Sequence, residues 1–159
     1  MEVIINLIVS IKLQKLSLFE DSELLKVYDV SISKYGIGNQ QDSFCTPLGK
    51  HEISEKMGAE APLKGVLRWG KYTGEIAENI FGAEGDLITT RALRLKGFEP
   101  ELNLGAGIDS EERGIWIHGT AQESKIGTPA SHGCIRMKNV DMLELFDLVR
   151  VGDEVDIII

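Results

Sequence analysis

The sequence predicts a mainly β domain with one C-terminal helix packed on it. Three observations carry that expectation. Apolar and polar residues alternate at the start of the chain, the period of a strand with one buried face. Apolar residues recur at helical spacing in one stretch near the end, Val140 to Val149. Strand-like segments outnumber helical ones and do not alternate with them, which argues against a doubly wound parallel sheet.

Each element follows from its local pattern. Val3, Ile5, Leu7, Val9, Ile11 and Leu13 are apolar, while Asn6, Ser10, Lys12 and Gln14 fall between them, so a strand is expected here. The phase changes near Lys15, where Leu16 and Leu18 become the apolar positions, so a bulge or turn is expected. Glu20-Asp21-Ser22-Glu23 reads as a turn, and Leu24 to Ser33 as the next strand, with Tyr28, Val30 and Ile32 on one face. Tyr35 to Asn39 is a loop, Thr46-Pro47-Leu48-Gly49 a turn, and His51-Glu52-Ile53 the start of a short strand. Residues 56–110 are Gly-rich and irregular; a short helix over Glu75–Phe81 and a strand over Leu87–Leu95 are expected within them. Ile115-Trp116-Ile117 is a compact strand ending at His118, with Trp116 read as a core residue. Asn139 reads as an N-cap to a helix carrying Val140, Leu143, Phe146 and Val149, closed by Gly152; Val155 to Ile159 is a last strand.

Length and composition bound the class. A chain of 159 residues is one domain, residues 1–159, and large enough to bury a core without disulfide staples. A net charge of −8 with no basic run speaks against a nucleic acid partner. Two cysteines, Cys45 and Cys134, form neither a disulfide framework nor a CxxC pair. No apolar run reaches the roughly 18–20 residues of a membrane span. Glu2 occupies the place of a positive n-region and Asn6 interrupts the apolar run, so the start reads as a strand rather than an export signal. The corresponding expectation is a cytoplasmic protein, or a periplasmic or cell-envelope one if the sequence is trimmed. Oligomeric state is not legible.

The chemistry concentrates in Ile117-His118-Gly119-Thr120 and, after a polar loop, Ala130-Ser131-His132-Gly133-Cys134-Ile135-Arg136-Met137. A thiol attacks as thiolate, and a nearby imidazole is its usual base. In an extended chain His132 and Arg136, each two positions from Cys134, project on its face. Gly133 clears space beside the thiol, and its amide with that of Cys134 suits a developing oxyanion. A guanidinium such as that of Arg136 suits a carboxylate. Three readings stay open on spacing alone: Cys/His catalysis, a zinc site without the usual tight ligand pairs, and purely structural residues. Cys45 and His51 read as non-catalytic, Thr120 as either a loop residue or a site neighbour, and Trp69 and Tyr72 as candidate cleft residues in a 56–110 lid or wall.

His118, the loop and Ser131-His132-Gly133-Cys134-Ile135-Arg136 resemble the signature of the L,D-transpeptidase catalytic domain, the YkuD-like family. Thr46-Pro47-Leu48-Gly49 is similar to a Thr-Pro-x-Gly segment of that family. The resemblance is firm over 115–137, loose over 56–110, and spans the chain. It implies a β-sandwich with Cys134 on a strand beside the C-terminal helix. It implies Cys134 as nucleophile, His118 as general base oriented by the Gly119 carbonyl, and His132 as an accessory histidine. Gly133 and Cys134 amides would form the oxyanion hole, and Arg136, Gly119, Thr120 and Ser131 would line the substrate site. It implies peptidoglycan stem peptides or soluble muropeptides as partners, carbapenems as covalent ligands, and no metal or organic cofactor. The activity implied is L,D-transpeptidation of stem tetrapeptides through a thioester with release of D-alanine. Hydrolysis of tetrapeptide to tripeptide by an L,D-carboxypeptidase is the alternative, and a non-catalytic peptidoglycan-binding or zinc-binding domain the alternative of another class.

Overall fold

The computed structural model describes residues 2–79 and 86–159. Ten strands and one helix make up the frame: β1 (Ile5–Ser10), β2 (Lys15–Glu20), β3 (Glu23–Ser31), β4 (Gly49–Met57), β5 (Gly65–Arg68), β6 (Lys71–Ile76), β7 (Ile88–Gly97), β8 (Trp116–Thr120), β9 (Ile135–Met137), α1 (Asn139–Leu148) and β10 (Glu154–Ile158). The mainly β class and the single C-terminal helix are as the sequence predicts.

The strands pair in the order β4-β10-β1-β2-β3-β9-β8-β7, and β4 pairs again with β7, so the ladder closes on itself. Closure gives each ring strand a partner on both sides, though β3 meets β9 only at Val30 and Ser31. Strand β7 makes this possible by its length. Its second half, from Ala92 to Gly97, pairs with β4, while its first residues, Ile88 and Thr89, pair with β5. The register shifts between Thr89 and Ala92, and Thr90 takes a positive φ of 70° there. The β5–β6 hairpin therefore stands off the ring from the entry end of β7.

Period-2 alternation fills the core. Leu7, Val9, Leu16, Leu18, Val30, Ile53, Leu93, Leu95, Ile117, Ile135, Met137, Val155 and Ile157 all point into one cluster. Burial of this aliphatic set is the main driving force for the ring. Helix α1 adds Met142, Leu145 and Phe146 to the same cluster.

Several local expectations are corrected. The first strand is shorter than Val3–Leu13, because the chain turns after Ser10 and Gln14 takes a positive φ; Leu13 is exposed. His51-Glu52-Ile53 belongs to a nine-residue strand, not a short one. Residues 75–76 finish β6 and Ala77–Asn79 form a single 3-10 turn, not the start of a helix; Ile80 and Phe81 lie outside the described residues. Trp116 lies outside the main core, since Ile115 and Ile117 take the inward positions on either side of it. It packs instead with Met57, Ala61, Leu67 and Ala92. Val140 is 65% exposed, and Met142, Leu145 and Phe146 form the buried helix face.

Asn139 is the first residue of α1 rather than its cap, which is Lys138. Its amide is claimed by the interior. Its Oδ1 accepts from the hydroxyls of Thr89 and Thr90 at 2.5 and 2.7 Å, and its Nδ2 donates to the Thr120 carbonyl at 2.9 Å. The Asn139 backbone N–H, orphaned by its place in the first turn, donates to Glu123 Oε2 at 2.8 Å.

Candidate active site

The parallel pair β8–β9 organises the site. Ile117 lies opposite Ile135 and His118 opposite Arg136. Ile117, Ile135 and Met137 face the core, so Trp116, His118 and Arg136 face the other side of the sheet. The pattern that builds the core thus also delivers the polar groups to one face.

His118 is 2% exposed. Its Nδ1 donates to the Gly119 carbonyl at 2.6 Å, which leaves Nε2 as the acceptor of a neutral ring. Burial drives its pKa down to about 4, with the nearby Arg136 charge acting in the same direction and the Gly119 hydrogen bond opposing. Gly119 is required at its place by close approach: an added Cβ would lie 2.5 Å from the Thr89 carbonyl and 2.7 Å from Asn139 Oδ1. Both neighbours are fixed, so Gly119→Ala is expected to cost about 2–3 kcal/mol of stability. Urea unfolding midpoints of the two proteins measure it; an unchanged midpoint would show that the β7–β8 spacing yields.

Cys134 sits just before β9, half-buried, with Sγ 3.4 Å from the Trp116 N–H and 3.3 Å from the Gly114 carbonyl. Burial pushes its thiol up to about 11; the Trp116 N–H opposes this, and the negative Asp86 adds to it. Both His118 and Cys134 are therefore held neutral at rest.

Residues 131–134 bend rather than extend, with Gly133 at a φ of 125°. An added Cβ there would come within 3.3 Å of the Cys45 carbonyl. Ser131 fixes the bend: its hydroxyl donates to the Cys134 carbonyl at 2.6 Å and accepts from the Gly133 N–H at 3.2 Å. The Gly133 amide is thus engaged within the turn. The expectation that His132 shares the face of Cys134 through an extended chain does not hold, because β9 begins only at Ile135. His132 is exposed, set between Tyr35 and Phe44 with ring centroids 5.8 and 6.0 Å away.

Arg136 is 1% exposed and donates to Gln122 Oε1 at 2.9 Å. Asp86 joins two side chains: one carboxylate oxygen pairs with Arg136 and the other with His132 Nδ1. Thr120 is the buried last residue of β8, and its hydroxyl accepts from the Gln122 N–H. Cys45 donates to the Tyr35 carbonyl and His51 is buried against the Gly49 carbonyl and Ser110 Oγ. Arg113 ties the neighbouring loops by donating to the carbonyls of Gly38 and Cys45. Beside Trp116 lies a largely apolar cavity of about 400 Å³, lined by Val66, Leu67, Trp69, Asp86 and Ile88 among others. Trp69, 93% exposed at the β5–β6 turn, is on its rim, whereas Tyr72 packs on the small cluster beneath.

Asp86, Gln122 and Arg113 were not legible as site residues. A single Asp after a glycine and before Leu87 carries no periodic or motif signal. Among the described residues, no group of three or more His, Cys, Asp or Glu side chains is placed to hold a metal ion.

Cys134 thus lies in the bend that leads into β9 rather than on a strand as the resemblance implies, and His118 lies on the adjacent parallel strand β8. The family model for that domain, YkuD, matches residues 5–157, and the chain belongs to this family. YqjB of Bacillus subtilis (strain 168), which carries the L,D-transpeptidase name, is 38% identical over 71 residues, 41% of this chain and 40% of YqjB. An L,D-transpeptidase from Xylanimonas cellulosilytica superposes with a TM-score of 0.62 at 17% identity, covering 99% of this chain and 61% of that one. LdtMt1, solved in complex with imipenem, superposes with a TM-score of 0.61 at 18% identity, covering 98% of this chain and 59% of LdtMt1. The chain thus spans less than two thirds of the length of each.

Proposed function

We propose that this chain is a cysteine-dependent L,D-transpeptidase acting on peptidoglycan stem tetrapeptides. The observation that supports the reading is a buried His118, held neutral by burial with its Nδ1 committed to the Gly119 carbonyl, on the strand beside β9, which Cys134 immediately precedes. Only Nε2 is left to accept a proton, which suits His118 to the role of base in this reading.

In this reading the thiol proton passes to His118 Nε2 as Cys134 Sγ attacks the carbonyl between the third stem residue and the terminal D-alanine. Thiolate and imidazolium form together, so their attraction offsets part of what burial costs each alone. The tetrahedral oxyanion is taken by the Cys134 and Gly133 amides, the latter exchanging Ser131 Oγ for it. The C–N bond breaks, His118 returns its proton to the departing amine, and D-alanine leaves a thioester on Cys134. An amine acceptor, deprotonated by His118, then attacks the thioester and releases the thiol. Water in the acceptor's place gives an L,D-carboxypeptidase.

Incubation with a purified disaccharide-tetrapeptide, followed by mass spectrometry of products, tests the reading. A dimer one D-alanine lighter than two substrates is the expected product, absent with Cys134→Ala. Tripeptide and free D-alanine without dimer would assign hydrolysis instead. Neither product, or the same products from Cys134→Ala, would overturn the assignment of Cys134.

A further inference from the structure

The register break in β7 falls opposite His118. Ala92 pairs with His118 and Thr89 with Gly119, so Thr90 and Arg91 have no partner on β8. Thr90 is fully buried and holds a φ of 70°. That conformation is strained for a β-branched residue and persists only where the surroundings over-determine it. Bulges of this kind recur beside active sites, where they re-aim a side chain.

One amide holds this bulge. Asn139 Oδ1 accepts from the Thr89 hydroxyl at 2.5 Å and from the Thr90 hydroxyl at 2.7 Å, and Thr90 Oγ1 also accepts from the Lys64 N–H at 2.9 Å. Asn139 Nδ2 donates to the Thr120 carbonyl at 2.9 Å. That carbonyl can only accept, which fixes the orientation of the amide. Asn139 is itself fixed: it is 1% exposed, its backbone N–H donates to Glu123, and the helix it begins is packed into the core through Met142 and Leu145. A single side chain therefore ties β7, β8 and α1 together.

The tie lands on the residue that orients His118. Asn139 Oδ1 lies 2.7 Å from where a Cβ on Gly119 would stand. Successive strand residues point to opposite faces, so Asn139 backs Gly119 from the face opposite His118. On the other side, His118 Nδ1 donates to the Gly119 carbonyl at 2.6 Å. The peptide that carries this carbonyl joins Gly119 to Thr120, and Asn139 holds both residues, the first by close packing and the second by a hydrogen bond. The bond made by one ring nitrogen decides which tautomer an imidazole adopts.

We propose that Asn139 is a positioning residue for His118: bonded to the Thr89–Thr90 bulge and to the Thr120 carbonyl, it holds the Gly119 carbonyl where His118 Nδ1–H donates to it, and so keeps Nε2 bare. The inference rests on the transpeptidase reading for the use of Nε2 as a base, but its first test needs no substrate.

Long-range proton–nitrogen NMR of histidine-labelled protein reads the tautomer, with the His118 signals assigned by their loss in His118→Ala. In wild type a single Nδ1–H form is expected at neutral pH. In Asn139→Ala the Nε2–H form is expected to appear, and imipenem acylation of Cys134 to fall roughly 10–100-fold, the cost of a misplacement of about 1 Å. In a His118→Ala background the same substitution is expected to change the rate less than about twofold, since the group it positions is gone. Asn139→Ala strands two buried hydroxyls and a carbonyl. If it does not fold, Thr90→Val takes its place, removing one bond at nearly constant shape, with a smaller effect of the same kind. Thr90→Ser, which keeps the hydroxyl, is expected to restore both the tautomer and the rate. A sole Nδ1–H form in the variant that folds would overturn the proposal, as would an equal loss of rate with and without His118, which would mark general loosening of the sheet. A wild type that imipenem does not acylate would sink the transpeptidase reading and leave the tautomer to decide this one.

Discussion

His118→Ala is acylated by imipenem at a rate expected to be about 10²–10⁴-fold below wild type at pH 7, the range lost with a positioned general base. The pH dependence separates loss of the base from loss of structure. In the wild type the competent form has neutral His118, and burial holds its pKa down to about 4. The rate should rise with pH to about 4 and then run flat through neutrality, where an unperturbed histidine would still be titrating. In the variant only free thiolate reacts. Burial pushes the Cys134 thiol up to about 11, so the variant's rate should climb close to tenfold per pH unit between pH 6 and 9. The gap between the two proteins therefore narrows as pH rises. Intact-mass acylation kinetics over that range measure both curves. A variant within tenfold of wild type at pH 7, or parallel profiles, would remove His118 from the role of base.

How far the sequence carried the site follows from what kind of signal each residue leaves. The alternation that sends Ile115, Ile117, Ile135 and Met137 inward also puts His118 and Arg136 on one face, so the shared face of these two candidate residues was legible from a local pattern. The Ser131-His132-Gly133-Cys134 turn is legible because its parts are contiguous: one hydroxyl and one glycine make the bend. Asp86 was invisible for the opposite reason. Its partners lie near position 134, and only the closing of β7 on β8 brings the two ends together. Asn139 misled because the residue type that caps helices also satisfies buried hydroxyls. Nothing local says that Thr89, Thr90 and the Thr120 carbonyl converge on it. The β5–β6 hairpin was lost among glycines, since Lys71 to Glu75 is largely exposed and shows no apolar face to read. The signal available was Trp69-Gly70, a two-residue turn at positive φ between short strands.

Acidification should destabilise the fold well before its carboxylates titrate, through two buried histidines. His51 is buried, with Nδ1 on the Gly49 carbonyl and Nε2 on Ser110 Oγ, and burial lowers its pKa to about 4, as it does for His118. The sign follows from proton binding. Between about 4 and the ordinary value of 6.5 the unfolded chain binds a proton at each histidine and the native chain does not. Each therefore contributes stability that is full above 6.5, falls as pH drops toward 4, and is gone below it. The limiting contribution is roughly 3 kcal/mol per histidine, with a slope of about 1.4 kcal/mol per pH unit each. Carboxylates held low by their partners, such as Asp29 beside Lys15 and Glu144 beside Lys26 and Tyr28, act only further down the acid range. Cys134 works at the other end: its raised thiol pKa adds stability below 9.0 that is lost as pH climbs toward 11. Urea unfolding at pH 7.5, 6.5, 5.5 and 4.5 should show a free energy falling by several kcal/mol, with the steepest loss between 6 and 4.5. His51→Asn starts lower but should show close to half the wild-type slope over the same window, because one proton has been removed from the linkage. A slope unchanged in the variant would mean that His51 is not held neutral by burial, and a flat profile in the wild type would mean that neither ring is.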